Sequence, residues 1–302
     1  SDVCSSDLSN NKIIQMNLFR KIVFWFLGII FLLVISVYIY LVSQKPQYDG
    51  AVTLKGLSAP VEVIYDFYGV PHIYASSEED AYYALGYVHA QDRLFQMEMI
   101  RRVASGTLAE VFGKDLLKVD LFFRTLGLKQ HAQLSQKTYF NSLNQPYQKS
   151  ANAYLKGVNE FIRNGQTPLE FTMLGIPKNE FTTSDLYLSM EFMSFNFAMA
   201  FKTDPLMTFI KSKLGNEYYQ DLVTNFKQLN NDFSQHNNIT VDSKYSFNTI
   251  QEIIDKLPVS PITGSNSWVA NSSKTKSGRV LFENDTHIAY GQPGVWYEAH
   301  IE

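Results

Sequence analysis

The five residues Gly264-Ser265-Asn266-Ser267-Trp268 could carry nucleophilic chemistry. A serine hydroxyl is a poor nucleophile unless a base lies beside it. A chain cut before Ser265 would supply that base from the same residue, because a free α-amine has a pKa of about 7.7 to 8. Gly264 lacks a Cβ and tolerates the strained backbone in which the next hydroxyl attacks the preceding carbonyl. The pattern therefore predicts an N-terminal serine nucleophile, although Gly-Ser-Asn is also common in ordinary turns.

The residues after Ser265 predict a hairpin that returns a histidine to the serine. Two short β-prone runs flank a polar turn, which we place between residues 276 and 277. Such a turn pairs Ser265 with position 288 and brings His287 beside the serine. A neutral imidazole there could orient the serine or relay its proton. The alternative is that His287 caps a loop formed by Asn284–Thr286.

A long helix is predicted upstream, from Glu78 to Ser105. Ser76 or Ser77 can cap it, the first turn is acidic, and apolar residues recur at spacings of three, four and seven. Four polar residues on this helix look like active-site groups, but we favour scaffold roles because paired charges on a partly buried helix need no catalytic explanation. These four are His89, Asp92, Arg93 and Arg102.

Other elements are predicted on both sides of this helix. A hairpin runs from Val61–Asp66 into Pro71–Tyr74, and Ala153–Arg163 and Pro205–Leu214 are helix candidates. The chain has no phosphate-cradling Gly-x-Gly-x-x-Gly, no Gly-x-Ser-x-Gly and no His-Glu-x-x-His sequence. The predicted helices and hairpin indicate a packed framework, and none of these motifs offers an active site other than the segment around Ser265.

Two separate blocks of sequence stand out, Gly69–Ile73 with Gly86–Met97, and Gly264–Val269 with Asn284–His287 and Trp296–His300. Both blocks resemble the penicillin acylase (penicillin amidase) family of N-terminal nucleophile hydrolases. The resemblance covers about residues 48–302. One departure is Ser267, where the family commonly has asparagine.

The resemblance implies an α+β fold, the four-layer αββα sandwich of these hydrolases. It implies a precursor in which 48–229 is an α-chain-like region, 230–264 an excised spacer and 265–302 the start of a β-chain. Ser265 becomes the β-chain N-terminus, and the partner of the α-chain is its own β-chain. Most of the central sheet would follow residue 302, so we expect 1–302 alone to be inactive.

The resemblance also implies site residues. His287 matches the position next to the nucleophile, and Ile288 then lies on the wall of the acyl pocket. The aromatic residues Phe197 and Phe201 could line the same pocket, although core packing is the alternative for all three apolar side chains. Asp204 matches a ligand of a structural calcium ion, and its alternative role is a helix N-cap before a proline. No organic cofactor is expected.

The N-terminal segment contains a predicted membrane-spanning helix. Residues 1–8 read as a translated sequencing adapter and contain the only cysteine, so we take Met16 as the start. The basic stub 16–21 precedes an uncharged apolar run, 22–42, long enough to span a membrane. We expect an uncleaved inner-membrane anchor with the domain on the periplasmic side, a cleaved signal peptide being the alternative. Residues 44–47 would be a linker that holds the domain away from the membrane.

The composition limits the partners. A net charge of -3 and 18% charged residues give no sign of nucleic-acid binding, and 45% hydrophobic residues can form a substantial core. We therefore expect an autoprocessed serine amidohydrolase that cleaves small N-acyl amides through an acyl-enzyme. The alternatives are an acyl-homoserine lactone acylase and a noncatalytic, membrane-tethered binding protein of the same fold.

Overall fold

A computed structural model of the chain describes residues 3–142, 144–198, 200–222, 252–253, 256–257, 262–288 and 290–302. Side chains are described from residue 19 onwards, except at 200–202, 205 and 262–263. These parts form helices and strands in this order: α1 Val3–Ser43, β1 Glu62–Tyr65, β2 Pro71–Tyr74, α2 Glu78–Ser105, α3 Ala109–Phe112, α4 Leu117–Leu126, α5 Leu128–Tyr139, α6 Pro146–Asn164, α7 Leu169–Leu174, α8 Thr183–Phe197, α9 Ala200–Leu214, α10 Asn216–Leu222, β3 Ile262–Ala270, β4 Leu281–Ile288 and β5 His300–Ile301.

Helix α2 has the predicted bounds, because both of its ends are capped locally. The Ser77 hydroxyl accepts a hydrogen bond from the backbone N–H of Asp80 (3.1 Å). Gly106 ends the helix in the left-handed conformation with φ 66° and returns its N–H to carbonyls of the last turn. The predicted helix 78–105 and its Ser77 cap are confirmed.

Helices α2 and α6 pack against each other through two glycines. A Cβ on Gly86 would clash with the Tyr154 carbonyl, and a Cβ on Gly157 would clash with the Tyr83 carbonyl. The obstacles are backbone atoms, which cannot move aside as a flexible side chain can. The two glycines thus set the close approach of the helices, and α6 includes the predicted helix 153–163.

The buried core surrounds α2. One cluster joins the C-terminal half of α2 to α4, α5 and α8, and another joins its middle to α6 and α7. The largest fully buried side chains include Leu94, Phe123, Val158 and Phe171. Burial of such side chains is worth roughly 1.5 to 3 kcal/mol each, so this core is the main stabilising unit of the described fold.

The strands form two small sheets. β1 and β2 pair antiparallel, as predicted, and β5 adds to β2 in parallel, which gives the order β1-β2-β5. β3 and β4 form a separate antiparallel pair. Helices and sheets are therefore mixed, as expected for an α+β fold. The four-layer arrangement stays a prediction.

The predicted membrane segment 22–42 lies within α1. The stretch Phe19–Ser43 is long and apolar enough to cross a membrane and is exposed along its length. A signal sequence near the N-terminus has the same properties, so the anchor stays a prediction.

The predicted linker 44–47 contacts the domain at its last residue. The Gln91 amide donates to the Gln47 carbonyl (3.2 Å), and the Tyr48 hydroxyl donates to Asp92 (3.0 Å). These contacts were not visible in the sequence, because the partners are 44 positions apart. Gln47 and Tyr48 are therefore docked on α2, and the role of 44–47 at the membrane stays a prediction.

Helix α9 begins earlier than predicted. It includes Asp204 and Pro205 within Ala200–Leu214, so the alternative of Asp204 as the N-cap of a helix starting at Pro205 is wrong. Pro205 is the sixth residue of α9, beyond the first turn in which proline is best tolerated, and the helix nevertheless continues to Leu214.

Most of the predicted spacer, 230–264, and its upstream cut lie outside the described residues. Two described residues within it belong to the core. Ile253 is buried in the cluster formed by α2, α4, α5 and α8, and Leu257 packs against that cluster. This end of the predicted spacer is therefore held by the helical framework.

Candidate functional site

Ser265 lies on β3, paired with β4, in the hairpin that the sequence predicted. The register differs, because Ser265 pairs with Thr286 and Gly264 pairs with His287. The predicted pairing of Ser265 with position 288 is wrong by two residues. A 3-10 turn at Ser272–Lys274, capped by the Asn271 side chain, places the centre of the hairpin earlier than we predicted.

His287 is next to Ser265 along the hairpin but on its other face. Paired residues share a face and successive residues alternate, so Ser265 faces the same way as Thr286 and opposite to His287. The alternative in which His287 caps a loop at Asn284–Thr286 is also wrong, since those residues belong to strand β4. The register brings the predicted pair close in the backbone without turning the imidazole towards the serine.

The His287 imidazole contacts two polar side chains of the hairpin. Its Nε2 is 2.9 Å from Oδ2 of Asp285 and 3.3 Å from Nδ2 of Asn266. Nε2 can donate to Asp285 or accept from the Asn266 amide, and the tautomer of the ring selects which of the two contacts is a hydrogen bond. The three residues form a small polar cluster on the face of the hairpin opposite Ser265.

The bond between Gly264 and Ser265 lies inside an exposed strand. Ser265 is exposed, and a Cβ on Gly264 would meet no atom within 4 Å. Gly264 is absent from the glycines with positive φ, so the backbone strain expected there is not seen in the uncut strand. The bond is thus accessible.

The predicted acyl-pocket residues lie at the ends of two elements. Ile288 is the half-buried last residue of β4 and pairs with Ile262. Phe197 ends α8 and is 43% exposed, and α8 contacts β3. The Phe201 side chain lies outside the described part of the structure. Contact between α8 and β3 places Phe197 on a helix that packs against the serine strand.

A cavity of about 500 Å³ lies elsewhere, between α2, α8 and the segment before β5. Apolar side chains form most of its wall, and Arg93 and Gln96 add polar groups. Neither Ser265 nor His287 lines it. Its wall includes Phe95, Met99, Phe192, Met193, Val295 and Trp296.

The described residues do not make up a calcium site around Asp204. Its side chain is exposed on α9, and no group of three His, Cys, Asp or Glu residues in the described part of the chain is arranged to hold a metal ion. Ca²⁺ takes six to eight oxygen ligands, and one carboxylate supplies at most two. Calcium binding through Asp204 therefore stays a prediction.

The polar residues of α2 have protein partners, in agreement with their predicted scaffold roles. Arg102 pairs with Glu98 (2.7 Å) inside the core, and Arg93 donates to a backbone carbonyl (3.3 Å). His89 contacts Tyr154 (2.7 Å), and its burial lowers its pKa to about 4, so the ring is neutral at pH 7. Asp92 accepts hydrogen bonds from two tyrosines that sequence reasoning did not connect with it.

Comparison with known proteins places the chain among acylases. A sequence model of the penicillin amidase family matches residues 60–302. The penicillin acylase 2 proenzyme of Pseudomonas sp. (strain SE83) is 43% identical over 134 residues, which are 44% of this chain and 17% of that protein. The acyl-homoserine lactone acylase QuiP of Pseudomonas aeruginosa is 26% identical over 268 residues, which are 86% of this chain and 31% of that protein.

A solved structure also matches. The thermostable penicillin G acylase from Alcaligenes faecalis is 27% identical, with a TM-score of 0.41, over 54% of this chain and 88% of that chain. The chain spans 17% and 31% of the lengths of the two relatives above.

Proposed function

Because the chain belongs to the penicillin amidase family, we propose that the whole protein is an autoprocessed serine amidohydrolase with Ser265 as its nucleophile. The observation that carries the proposal is the place of Ser265, which follows Gly264 on an exposed strand inside the matched region. Its side chain is not part of the core, so packing does not account for a serine there.

Processing begins with the Ser265 hydroxyl, which attacks the Gly264 carbonyl carbon. The peptide bond is replaced by an ester between the Gly264 carbonyl and the serine oxygen, and the serine nitrogen leaves as a free amine. Water then hydrolyses the ester, which gives a Gly264 carboxylate and a free Ser265 hydroxyl. The product carries a nucleophile and a base on one residue.

Turnover uses the same two groups. The Ser265 hydroxyl attacks the carbonyl carbon of an N-acyl amide, and the α-amine takes the hydroxyl proton and passes it to the leaving amine. An acyl ester remains on the serine. Water activated by the α-amine cleaves this ester and releases the carboxylic acid. In this proposal His287 orients the strand end through its contacts with Asn266 and Asp285.

The test of this proposal is the N-terminus of the processed protein. The full-length parent should yield a chain that begins Ser-Asn-Ser-Trp, detected by intact mass and N-terminal sequencing. A Ser265→Ala parent should remain in one piece. A wild-type parent that also stays uncut would support the alternative, a noncatalytic binding protein of the same fold.

The substrate class is a small N-acyl amide whose acyl group meets an apolar wall. We propose that Ile288, Phe197 and Phe201 form that wall. A second candidate activity is acyl-homoserine lactone hydrolysis, favoured by the similarity to QuiP over 86% of this chain. Parallel assays with phenylacetyl, glutaryl and long-chain acyl amides, including an acyl-homoserine lactone, separate the two. Equal inertness towards all of them would contradict the amidohydrolase proposal.

We place the whole protein at the inner membrane, with its domain on the periplasmic side. The support is the exposed apolar run 22–42, which Arg20 and Lys21 immediately precede. Protease added to cells with a permeabilised outer membrane should digest the domain, whereas a cytoplasmic domain would be protected.

A further inference from the structure

The carboxylate of Asp92 binds tyrosines from two distant parts of the chain. Tyr48 donates to Oδ1 (3.0 Å), and Tyr297 donates to Oδ2 (2.7 Å). Burial, together with the nearby carboxylate, raises the pKa of Tyr48 to about 12 and that of Tyr297 well above its ordinary value. Both phenols therefore keep their protons at neutral pH and remain donors. Hydrogen bonds to an ionised acceptor are roughly twice as strong as neutral ones.

His89 supports the same tyrosine from the side. Its ring stacks on the ring of Tyr297, with centroids 4.5 Å apart and an interplanar angle of 18°. Its Nδ1 lies 2.7 Å from the hydroxyl of Tyr154 on α6. The ring is neutral because burial lowers its pKa, so it provides an uncharged platform for Tyr297. The phenol is thus held both at its oxygen and across its face.

Backbone groups extend this attachment along 290–302. Arg93 and Gln96 on α2 both donate to the Gly294 carbonyl, at 3.3 Å and 2.9 Å. Further along, β5 pairs with β2, and the Glu302 N–H donates to the Ile73 carbonyl (2.9 Å). The segment is thus attached to two elements, α2 and β2, that precede Ser265 in the chain.

We infer that Asp92 and Tyr297 form a noncovalent joint that holds residues 290–302 on the part of the chain before Ser265. The inference rests on the proposed function, because a cut before Ser265 would place these two parts on separate chains. The partner of the Asp92 surface is then the downstream chain of the same precursor. Asp92 is a positioning residue that keeps the two processed chains assembled.

Tyr297→Phe in the full-length parent tests the joint, with Tyr290→Phe as its matched control. Tyr290 lies in the same segment and is fully exposed. Both variants should be cut like the wild type. The dissociation constant of the two chains should rise about 10- to 100-fold in Tyr297→Phe and stay unchanged in Tyr290→Phe, because only the former loses a hydrogen bond to a charged acceptor.

The measurement is size-exclusion chromatography of the cut protein over a dilution series in a fixed, moderate urea concentration. Separation of chains depends on protein concentration, whereas a local loosening of the fold does not. Asp92→Asn removes the charge and leaves one acceptor oxygen for two tyrosine donors, so it should also raise the dissociation constant. It also replaces Tyr297→Phe as the test if that variant does not fold.

The outcomes separate the joint from the proposed function. A wild-type parent that stays uncut overturns both. A cut parent in which Tyr297→Phe, or Asp92→Asn in its place, separates at the same dilution as the wild type overturns the joint and leaves the proposed function standing. A larger, concentration-dependent separation confined to the joint variants supports the joint.

Discussion

Helix α2 and the hairpin β3–β4 both carry residues of chemically active types, and the two regions use them differently. On α2, the polar side chains His89, Asp92 and Arg102 are at least half-buried and bonded to other protein groups. On β4, seven of eight residues are exposed, and Ser265 on the facing strand is exposed too. Residue type alone therefore does not distinguish a catalytic site from the scaffold. A reactive group not committed to packing is the stronger signal.

The largest expected effect lies on the hairpin. In the whole protein, Ser265→Ala should abolish the cut and lower the rate of amide hydrolysis by about 10⁴-fold or more, because the nucleophile and the origin of the base are lost together. The control is Ser267→Ala, two residues along and on the same face of β3. It should be cut and active, as shown by gel mobility and turnover. Equal loss in both variants would mean that the strand, and not the nucleophile, is at fault.

The next effect is on stability, and here the helical framework should be more sensitive to substitution than the hairpin. Gly86→Ala should lower the free energy of unfolding by about 3 kcal/mol, because its methyl group would meet the backbone of α6. Gly264→Ala meets open space and should change the free energy by less than about 0.5 kcal/mol. Both are compared by urea unfolding in a Ser265→Ala background, where no cut complicates the transition. Similar losses at both sites would remove the contrast between framework and hairpin.

A third prediction concerns His89 and pH. Burial lowers its folded-state pKa to about 4, below the unfolded value of about 6.5. The unfolded chain therefore binds the proton more readily, and stability falls as the pH falls from 6.5 to 4, by about 3 kcal/mol in total. In His89→Gln the free energy of unfolding should depend less on pH between 6.5 and 4. Urea unfolding at several pH values measures this dependence. If the wild type and His89→Gln lost the same free energy of unfolding between pH 6.5 and pH 4, His89 would not lie in the buried cluster.

The smallest expected effect is at His287. Because its imidazole lies on the face opposite Ser265, His287→Ala should lower kcat/KM of the whole protein only about tenfold, less than the loss of a general base. His287→Gln should lower it less, since glutamine can still contact Asn266 and Asp285. A loss of about 10³-fold would show that the imidazole reaches the serine in the complete enzyme, and would sharpen the site to a Ser265–His287 pair.

Elements with local signals were predicted well from the sequence. Helix α2 was predicted to the residue, because Ser77 and Gly106 cap it within one turn of each end. The β1–β2 hairpin was found because alternation and a turn lie within a few residues of each other. The hairpin register was predicted wrongly, since it depends on a 3-10 turn at Ser272–Lys274 that has no strong pattern.

Contacts between distant positions were not predictable in the same way. The docking of Tyr48 and Tyr297 on Asp92 joins residues 44 and 205 positions away from it. No periodicity or capping pattern links such positions. The contact of Gln47 with α2 was missed for this reason, and so was the role of the tyrosines.

Neighbours along the chain fix the caps and length of α2, the β1–β2 hairpin and the position of Gly264-Ser265, so the sequence was enough to find them. The resemblance in two blocks identified the family. Only the tertiary structure decided which face of the hairpin His287 occupies and which residues Asp92 binds. Register and burial depend on how separate elements pack, and a small shift in one turn, or one close approach of two helices, changes them without changing any local pattern.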